Sequence, residues 1–360
     1  MAAKRKTFFD GLMYVLNTLA AFALMASYLS NYVSPKYFTW FSFLGLAYPI
    51  LFIANIIFAI WWALRMKLKI VLPIVAIALG YQQIPLLYKS HGNNQVVAAG
   101  SALKVMTYNV HSLNRFKWIE DEEIPQKISQ LVAEHNPDIL LLQEYRINME
   151  GWEVNFPYQY ALLGGEHPAN GNIIYSKLPI INQGFYDLPG PEELINTGRA
   201  LWVDVEWQGR TTRVFNLHLS SVGLARDDYK SLSELDSQDQ VELKRNIYKI
   251  GGSLSNAFKK RAYQVEFLDS IFSKLEQPLL VGGDFNDPPF SYTYHTFSES
   301  LEDSYLAAGE GWVKTFDRKP LQLRIDYLLY SDDHFRCHEY QVVEKQLSDH
   351  YPLISEFSFR

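Results

Sequence analysis

The chain of 360 residues contains one cysteine, Cys337, so an internal disulfide cannot contribute to its fold. A chain of this size can be stabilised by its core alone, and its residues are 48% hydrophobic and 15% aromatic. This composition excludes an intrinsically disordered protein. A glycine-rich phosphate loop and the CxxC and HExxH patterns of zinc sites are also missing, so neither offers a competing chemistry.

Acidic residues are nearly missing from the first 88 positions. Seven of the 33 basic residues but only one of the 39 acidic residues, Asp10, precede position 89. The remainder therefore holds 26 basic and 38 acidic residues, a net charge of −12. Such a body has no general attraction for a polyanion such as DNA, although a local basic groove stays open.

Long hydrophobic runs occupy the N-terminal part instead. Residues 8–33, 37–64 and 68–88 are each long enough to cross a hydrocarbon layer of about 30 Å, and the second run carries no charge. The sequence therefore predicts a membrane anchor over residues 1–88 with three transmembrane helices. A cleaved signal peptide at Ala21-Phe22-Ala23 fits less well, because the first run is too long and two more follow it. A buried helical hairpin of a soluble protein is the other alternative.

Basic residues flank these runs unevenly. Lys4-Arg5-Lys6 and the group Arg65, Lys67 and Lys69 would share one side of the membrane, against Lys36 on the other. By the positive-inside rule, the N-terminus is cytoplasmic, and three crossings place everything after residue 88 on the opposite side. We therefore expect an integral protein of the inner (cytoplasmic) membrane with its catalytic domain on the periplasmic or extracellular side. Residues 89–103, small and polar, are predicted to be a linker.

From Lys104 to the end, short β-rich runs alternate with helical patterns. The predicted strands are KVMTYNV, DILLLQE, NIIYS, LWVDVEW, TRVFNLHL, PLLVGGDF, IDYLLYS and LISEFSF. The predicted helices include Ile124–Glu134 and Asn256–Leu275, and Ser220–Ser255 is predicted to be a polar surface excursion. This alternation indicates an α/β (α+β) domain over residues 104–360, with helices covering sheets.

Polar side chains recur where these strands end. Each has an ordinary explanation alone, as a solvated or hydrogen-bonded residue, but together they can converge on one pocket at the edge of packed sheets. The residues are Asn109, His111, Glu144, His218, Asp284, Asn286, Asp326, Asp349 and His350.

This set suits chemistry at a phosphoryl group. Glu144 and Asp349, with Asn109 as a neutral oxygen donor, form an oxygen-rich site for Mg²⁺ or Mn²⁺ rather than zinc. Asp284 and Asn286 are two residues apart, so in an extended segment they face the same way and can hold a water. A divalent cation, a polarised water and imidazolium groups are what attack on phosphorus requires.

The motifs TYNV, LLQE, NIIYSKLPI, NLHL, GGDFND, RIDY and SDHYP occur in the order found in the endonuclease/exonuclease/phosphatase superfamily. The chain resembles this superfamily, which includes DNase I-like nucleases and neutral sphingomyelinases, from about Lys104 to Phe359, as a membrane-anchored bacterial-type member. The resemblance implies a four-layer sandwich, two packed mixed β-sheets flanked by helices.

The resemblance also implies roles for single residues. Glu144 would be the main metal ligand, assisted by Asn109 and Asp349. Asp284 and Asn286 would orient or activate the nucleophile, His218 would stabilise the phosphoryl oxygens, and His350 would be oriented by Asp326. Whether His350 or Asp284 is the base stays open. Tyr175 and Asn286 would contact the substrate phosphate. His111 has no role to carry over, and Arg261 and Gln264 match a scaffolding motif.

The expected function is a membrane-anchored, divalent-metal-dependent phosphoesterase that hydrolyses a phosphodiester with Mg²⁺ (Mn²⁺ is an alternative). The substrate stays open among nucleic acid, a lipid headgroup in the manner of a sphingomyelinase or phospholipase C, and a small phosphomonoester. A membrane-attached binding module without activity is the non-enzymatic alternative, although degenerate members lose motif positions that are all present here. Partners beyond the substrate and the membrane are not inferable from the sequence.

Overall fold

The computed structural model describes residues 2–90, 92, 102–163, 170–191, 195–223, 240–318 and 321–360. Its helices are α1 (Ala2–Ser27), α2 (Trp40–Leu46), α3 (Tyr48–Leu64), α4 (Val71–Leu79), α5 (Ile84–Leu87), α6 (Ile124–His135), α7 (Gln240–Phe272), α8 (Tyr292–Ser298) and α9 (Ser304–Ala308). Its strands are β1 (Leu103–Asn109), β2 (Ile139–Arg146), β3 (Tyr158–Leu163), β4 (Asn170–Ser176), β5 (Ile180–Pro189), β6 (Ile195–Trp207), β7 (Arg210–His218), β8 (Leu279–Asp284), β9 (Glu302–Asp303), β10 (Phe316–Arg318), β11 (Leu321–Leu323), β12 (Asp326–Tyr330), β13 (Phe335–Val342) and β14 (Leu353–Phe359).

The strands form two six-stranded mixed sheets and a small hairpin. The first sheet has the order β13-β14-β1-β2-β4-β3, the second β5-β6-β7-β8-β12-β9, and β10 pairs with β11. In each large sheet one central pair is parallel, β1 with β2 and β7 with β8, and the other pairs are antiparallel.

The two sheets pack face to face because alternate residues of their strands are apolar. Val105 and Leu141 of the first sheet share a buried cluster with Val203, Val214 and Leu280 of the second. The outer faces are covered by helices, the first by α6 and the second by α7. The expectation of two packed mixed sheets flanked by helices is confirmed.

The glycine pair at the end of β8 is required by this packing. A Cβ on Gly282 would come within 2.5 Å of Leu141 Cδ1 in the opposite sheet, so only glycine leaves room between the sheets. Gly283 has a φ of +140°, and a Cβ there would lie 1.9 Å from the carbonyl oxygen of Leu217 on β7. The two glycines therefore let β8 run close to both neighbours up to Asp284.

The N-terminal segment differs in part from three straight spans. Phe9–Asn31 is long and apolar enough to cross a membrane. The second and third predicted spans are bent pairs, α2 with α3 at 64° and Leu68–Leu79 with Tyr81–Leu87 at 58°, so three crossings require each bent pair to count as one. The first break precedes Pro49, which lacks the N–H that a continuous helix needs, and the second contains Gly80.

One end of this segment is docked on the sandwich. Ser30 Oγ donates a hydrogen bond to the carbonyl oxygen of Phe290 at 2.7 Å, and the Tyr48 ring lies 4.2 Å from the Phe290 ring, centroid to centroid. Phe43 of α2 packs edge-on against Phe258 of α7, with centroids 5.3 Å apart. Leu86 of α5 packs against the same cluster as Tyr48 and Phe290. The chain just after α1, the start of α3 and α5 therefore meet the same side of the sandwich.

Some elements were not predicted. The strands β3, β5 and β13 were not predicted from the sequence because they contain many exposed or polar residues and no continuous apolar run. The helix predicted over Asn256–Leu275 begins at Gln240 instead, so the second half of the predicted excursion Ser220–Ser255 is helical. The helix α7 runs through Gly251 and Gly252, and Ile250 and Phe258 on either side of them are buried. Residues 224–239 lie outside the described residues, as does most of the predicted linker 89–103.

Candidate active site

The predicted site residues, with the exception of Tyr175, lie at one edge of the gap between the two sheets. Parallel pairing brings the carboxyl ends of β1 and β2 together, and likewise those of β7 and β8, where His218 is opposite Asp284. The antiparallel β12 begins at the same edge, and Asp326 is opposite Asp284. Asn109, His218 and Asp284 follow inward-facing core residues of their strands by four positions, and Asp326 precedes the inward-facing Leu328 by two. The side chains of all four therefore face the gap.

Asn109 occupies the centre of the group. Its Nδ2 donates hydrogen bonds to Glu144 Oε1 at 3.2 Å and to Asp284 Oδ2 at 3.0 Å. Its Oδ1 accepts a hydrogen bond from the backbone N–H of His111 at 3.0 Å, which fixes the amide orientation. The side chain therefore presents nitrogen, rather than the expected oxygen ligand, to the two carboxylates.

Glu144 reaches the gap through a bulge in β2. Strict alternation would place it with Leu140 and Leu142 on the face covered by α6. The register between β2 and β4 shifts after Leu142, and Glu144 has a φ of +51°. This left-handed residue turns the carboxylate toward the site, where Oε1 lies 3.8 Å from His218 Nε2.

His350 and Asp326 form a buried pair. His350 Nδ1 lies 2.9 Å from Asp326 Oδ2, and His350 Nε2 lies 3.7 Å from Asp284 Oδ2. Burial would lower the pKa of His350, but the charges of Asp326 and Asp284 outweigh it and raise the pKa to about 10. Burial raises the pKa of Asp326, although the charge of His350 opposes this. The arrangement favours an imidazolium at neutral pH.

Asp284 and Asn286 are held by a tight turn at the end of β8. The backbone N–H of Asn286 donates to Asp284 Oδ1 at 2.8 Å, and Asn286 has a φ of +54°. The Asn286 Nδ2 donates to the carbonyl oxygen of Leu219, just past β7, at 3.0 Å. This Asx-type turn fixes both side chains beside His218.

His111, a polar residue at a strand end for which the sequence suggested no role, is a member of the site. Its Nδ1 lies 3.5 Å from Glu144 Oε2 and 3.4 Å from Asp349 Oδ1, and its ring packs edge-on against Trp118. The backbone of His111 is left-handed, with a φ of +42°. Asp349 Oδ2 also lies 3.8 Å from Arg318 Nη1 on β10. The only signal for His111 was its position two residues after Asn109.

Buried hydrogen bonds tie the two sheets together beneath the site. Gln143 Nε2 donates to Asn216 Oδ1 at 2.7 Å, and Asn216 Nδ2 donates to the carbonyl oxygens of Leu142 and Ile173 at 2.9 Å. Because Gln143 precedes Glu144 and Asn216 is two residues before His218, these bonds set the relative positions of both site residues.

Arg261 and Gln264 of α7 support the loops behind the site. The buried Arg261 guanidinium pairs with Asp287 and donates to the carbonyl oxygen of Ser220 at 2.8 Å. Gln264 accepts from the backbone N–H of Ser220 at 2.9 Å and donates to Thr197. Both side chains thus act as scaffold for the chain that follows β7.

Tyr175 does not join the group. It pairs with Leu140 in β2, four residues before Glu144, and its side chain faces α6, on the outer side of the first sheet. There the ring packs against Phe156, with centroids 5.5 Å apart. Side chains alternate between the two faces of β4, and Ile174 rather than Tyr175 is on the face toward the gap. The structure therefore does not bring Tyr175 together with the other predicted site residues.

The donor set fits a divalent cation. Glu144, Asp284, Asp326 and Asp349 converge, so a divalent cation would offset their mutual repulsion. Glu144 and Asp349 face each other across His111 Nδ1 and border the cavity. A second, buried group, Asp284, Asp326 and His350, has ligand atoms within 4.8 Å of one another and could also bind a metal. In that group, however, His350 Nδ1 is already hydrogen-bonded to Asp326 Oδ2.

This architecture and the sequence define the class of protein. Residues 106–350, more than half of the chain, match the model of the Endonuclease/Exonuclease/phosphatase family. The chain therefore belongs to this family, whose members include nucleases and phosphatases that hydrolyse phosphoric esters. Residues 10–87 match a Domain of unknown function (DUF8431). No curated protein matches the chain.

Solved structures share the fold at low sequence identity. An endonuclease/exonuclease/phosphatase family protein from Bacteroides thetaiotaomicron is 19% identical with a TM-score of 0.52, over 72% of this chain and 98% of that one. The human Nocturnin catalytic domain with bound sulfate is 18% identical with a TM-score of 0.51, over 74% and 96%. A humanized D. rerio TDP2 is 14% identical with a TM-score of 0.52, over 72% and 100%. These similarities support the fold alone.

Proposed function

We propose that the protein is a membrane-anchored, divalent-metal-dependent phosphodiesterase. The proposal rests on the convergence of five residues from separate parts of the chain, Asn109, Glu144, His218, Asp284 and His350. The side-chain nitrogen and oxygen atoms that face each other in this group lie 3.0 to 3.8 Å apart. Water attack on a phosphoryl group needs cationic groups, a positioned water and a divalent metal. The imidazoles of His218 and His350 would supply the first, and the turn of Asp284 and Asn286 the second. The open carboxylate pair, Glu144 and Asp349 at the edge of the cavity, would hold the metal.

The metal, Mg²⁺ or Mn²⁺, would be held by Glu144 and Asp349, with His111 Nδ1 beside both. When bound, it would polarise a phosphoryl oxygen and offset negative charge as the substrate enters. Asn109 would hold Glu144 and Asp284 in place through its amide nitrogen rather than act as a ligand. Arg318, which also borders the cavity, adds a cation for the phosphate oxygens.

The residues of this chain divide the remaining work. Asp284 and Asn286 orient the water, and the Asp284 carboxylate takes its proton as the water oxygen bonds to phosphorus. The P–O bond to the leaving alcohol breaks, and the departing oxygen takes a proton from solvent or a nearby acid. His350, flanked by Asp326 and Asp284, is better placed as a cation that stabilises charge than as the base. His218, whose Nε2 lies 3.8 Å from both Glu144 Oε1 and Asp284 Oδ2, would stabilise the charge on the phosphoryl oxygens.

Membrane attachment through the N-terminal segment is part of the proposal, with the catalytic domain on the non-cytoplasmic side. The ends of α1 and α5 both lie at the docked side, as an odd number of crossings requires, while Arg65 pairs with Asp10 at the other end. Protease added outside spheroplasts should cut the catalytic domain if this orientation holds. Protection of that domain until the membrane is permeabilised would reverse it.

The full-length protein in detergent tests the chemistry directly. Bis(p-nitrophenyl) phosphate and p-nitrophenyl phosphate should be compared with Mg²⁺, with Mn²⁺ and with EDTA, beside Asp284→Asn. Asp333→Asn is the matched control, because its side chain is exposed and lies in a turn after β12. We expect metal-dependent diester cleavage that Asp284→Asn abolishes and Asp333→Asn keeps.

Other outcomes change the assignment. Cleavage of the monoester alone would indicate a phosphomonoesterase. Metal binding with no cleavage of either ester would favour a membrane-attached binding module. Activity that persists in EDTA would contradict the metal requirement.

A further inference from the structure

The polar site opens into a cavity of about 350 Å³ whose other side is apolar. His111, Glu144, Asp284 and Asp349 line the polar side. The apolar wall is formed by Leu46, Ile250, Leu254, Phe258, Leu321 and Leu323. The cavity therefore offers an apolar surface next to its polar groups, which suits a substrate with both a charged and an apolar part.

Three separate parts of the chain build this wall. Leu46 ends α2 in the N-terminal segment, Ile250 to Phe258 lie on α7, and Leu321 and Leu323 lie on the β10–β11 hairpin. The first two parts are in contact, because Phe43 packs on Phe258 and Ser255 Oγ lies 3.3 Å from Thr39 Oγ1. The cavity therefore lies at the junction between the candidate membrane segment and the catalytic domain.

Exposed aromatic side chains mark the same junction. Tyr32 and Tyr37, between α1 and α2, are 64% and 88% exposed, and Trp40, the first residue of α2, is 68% exposed. Tyrosine and tryptophan are the residues that favour the headgroup layer of a bilayer, and they lie just past the end of the candidate span Phe9–Asn31. The helix α2, inclined at 64° to α3, connects this aromatic region to Leu46 at the wall.

We propose that the substrate is a membrane lipid with a phosphodiester headgroup, whose chain lies against the apolar wall while its phosphate reaches the polar site. This inference rests on the phosphodiesterase function proposed above and names its substrate class. A nucleic acid fits poorly, because residues 89–360 carry a net charge of −12. An amphiphile matches both sides of the cavity and the position beside the membrane segment.

A chain-length series tests the wall without changing the protein. Ethyl and hexyl p-nitrophenyl phosphate carry the same reacting group, and water attack on phosphorus breaks the bond to p-nitrophenolate and leaves the alkyl phosphate. The full-length protein in amphipol, which leaves no free micelles, should show a kcat/KM for the hexyl ester at least about tenfold higher, because each fully buried methylene favours binding by about three- to fourfold. Equal values for both esters would overturn the inference.

A variant locates the preference at the wall. Leu254→Asn should lower the ratio of hexyl to ethyl kcat/KM by about fivefold or more, because the chain would lose an apolar contact. Ile181→Asn is the control, since Ile181 is 54% exposed on β5 and does not line the cavity. An unchanged ratio in Leu254→Asn, in a protein with the melting temperature of wild type, would remove the wall from substrate binding.

A second arm separates a lipid in a bilayer from a free amphiphile. Hexadecyl p-nitrophenyl phosphate in phosphatidylcholine vesicles should be hydrolysed by the protein reconstituted into the same vesicles. Preference for the hexyl ester without cleavage in vesicles would identify a soluble amphiphile and overturn the lipid assignment. Absence of cleavage of every ester, the ethyl ester included, would instead count against the phosphodiesterase function itself.

Discussion

His350 Nδ1 lies 2.9 Å from Asp326 Oδ2, and both side chains are buried. The contact fixes which imidazole nitrogen faces the site, so Nε2 faces Asp284. Asp326→Asn removes the negative charge and allows the ring to take the other tautomer or to lose its proton. We expect kcat to fall by about 10²- to 10⁴-fold with little change in KM.

Steady-state kinetics on bis(p-nitrophenyl) phosphate measure this effect. Asp333→Asn is again the matched control, and the melting temperature reports whether the variant is folded. A folded Asp326→Asn protein with wild-type kcat would show that the pair has no part in the chemistry.

The open carboxylate pair predicts where the metal binds. Glu144→Gln should weaken Mn²⁺ binding at least about tenfold, measured by electron paramagnetic resonance of the free ion, and His111→Asn should weaken it by about 10- to 100-fold. Glu134→Gln is the control, because Glu134 is an exposed residue of α6. If Asp326→Asn abolished binding while Glu144→Gln left it intact, the metal would belong to the buried group of Asp284, Asp326 and His350.

The Gln143–Asn216 contact predicts coupling between stability and catalysis. Gln143→Leu leaves Asn216 Oδ1 without its donor in a buried position, which should cost about 1–3 kcal/mol of unfolding free energy. The change should also lower kcat more than it raises KM, because the strands that carry Glu144 and His218 lose their link. Gln159→Leu, on the exposed edge strand β3, should change neither quantity. Loss of stability with an unchanged kcat would mean that the link is structural only.

Much of the site was predictable because strand periodicity is a local property. Asn109, His218 and Asp284 each lie four residues after an apolar residue that faces the other sheet, and Asp326 lies two residues before one. Every strand predicted from the sequence overlaps an observed one. Glu144 reaches the site through a bulge, and His111 through a left-handed turn. Both depend on backbone conformations that the residue types do not specify. For Tyr175, the motif position predicted a place at the site, whereas its side chain faces α6 on the outer side of the sheet.

The bends in the N-terminal segment and the start of α7 depend on contacts between distant parts of the chain. A Cβ on Gly45 would lie 2.4 Å from the carbonyl oxygen of Phe290, 245 positions away, so the end of α2 is shaped by the catalytic domain. A hydropathy profile of the N-terminal segment shows continuous apolar runs and therefore does not predict the bends. The apolar wall of the cavity, built from three remote segments, could not be predicted for the same reason.

The glycines of β8 and α7 predict opposite effects of the same substitution. Gly283→Ala places a methyl group against the carbonyl oxygen of Leu217 at a positive φ, so we expect a loss of at least about 2 kcal/mol in unfolding free energy. Gly252→Ala has open space in the interior of α7 and should gain about 0.5–1 kcal/mol. Thermal unfolding of the two variants side by side gives the signs, and a stabilising Gly283→Ala would contradict the close approach of β7 and β8.

The single thiol provides a measure of unfolding. Cys337 is 8% exposed on β13, and burial raises its pKa to about 12, far above the pH of alkylation experiments. Because the thiolate is the reactive form, iodoacetamide at pH 8 should leave Cys337 unmodified in the folded protein. In urea, labelling should follow the same transition as tryptophan fluorescence if β13 opens only when the sandwich unfolds. Since β13 is an edge strand of the first sheet, labelling at lower urea than the fluorescence change would show that this strand separates from β14 first.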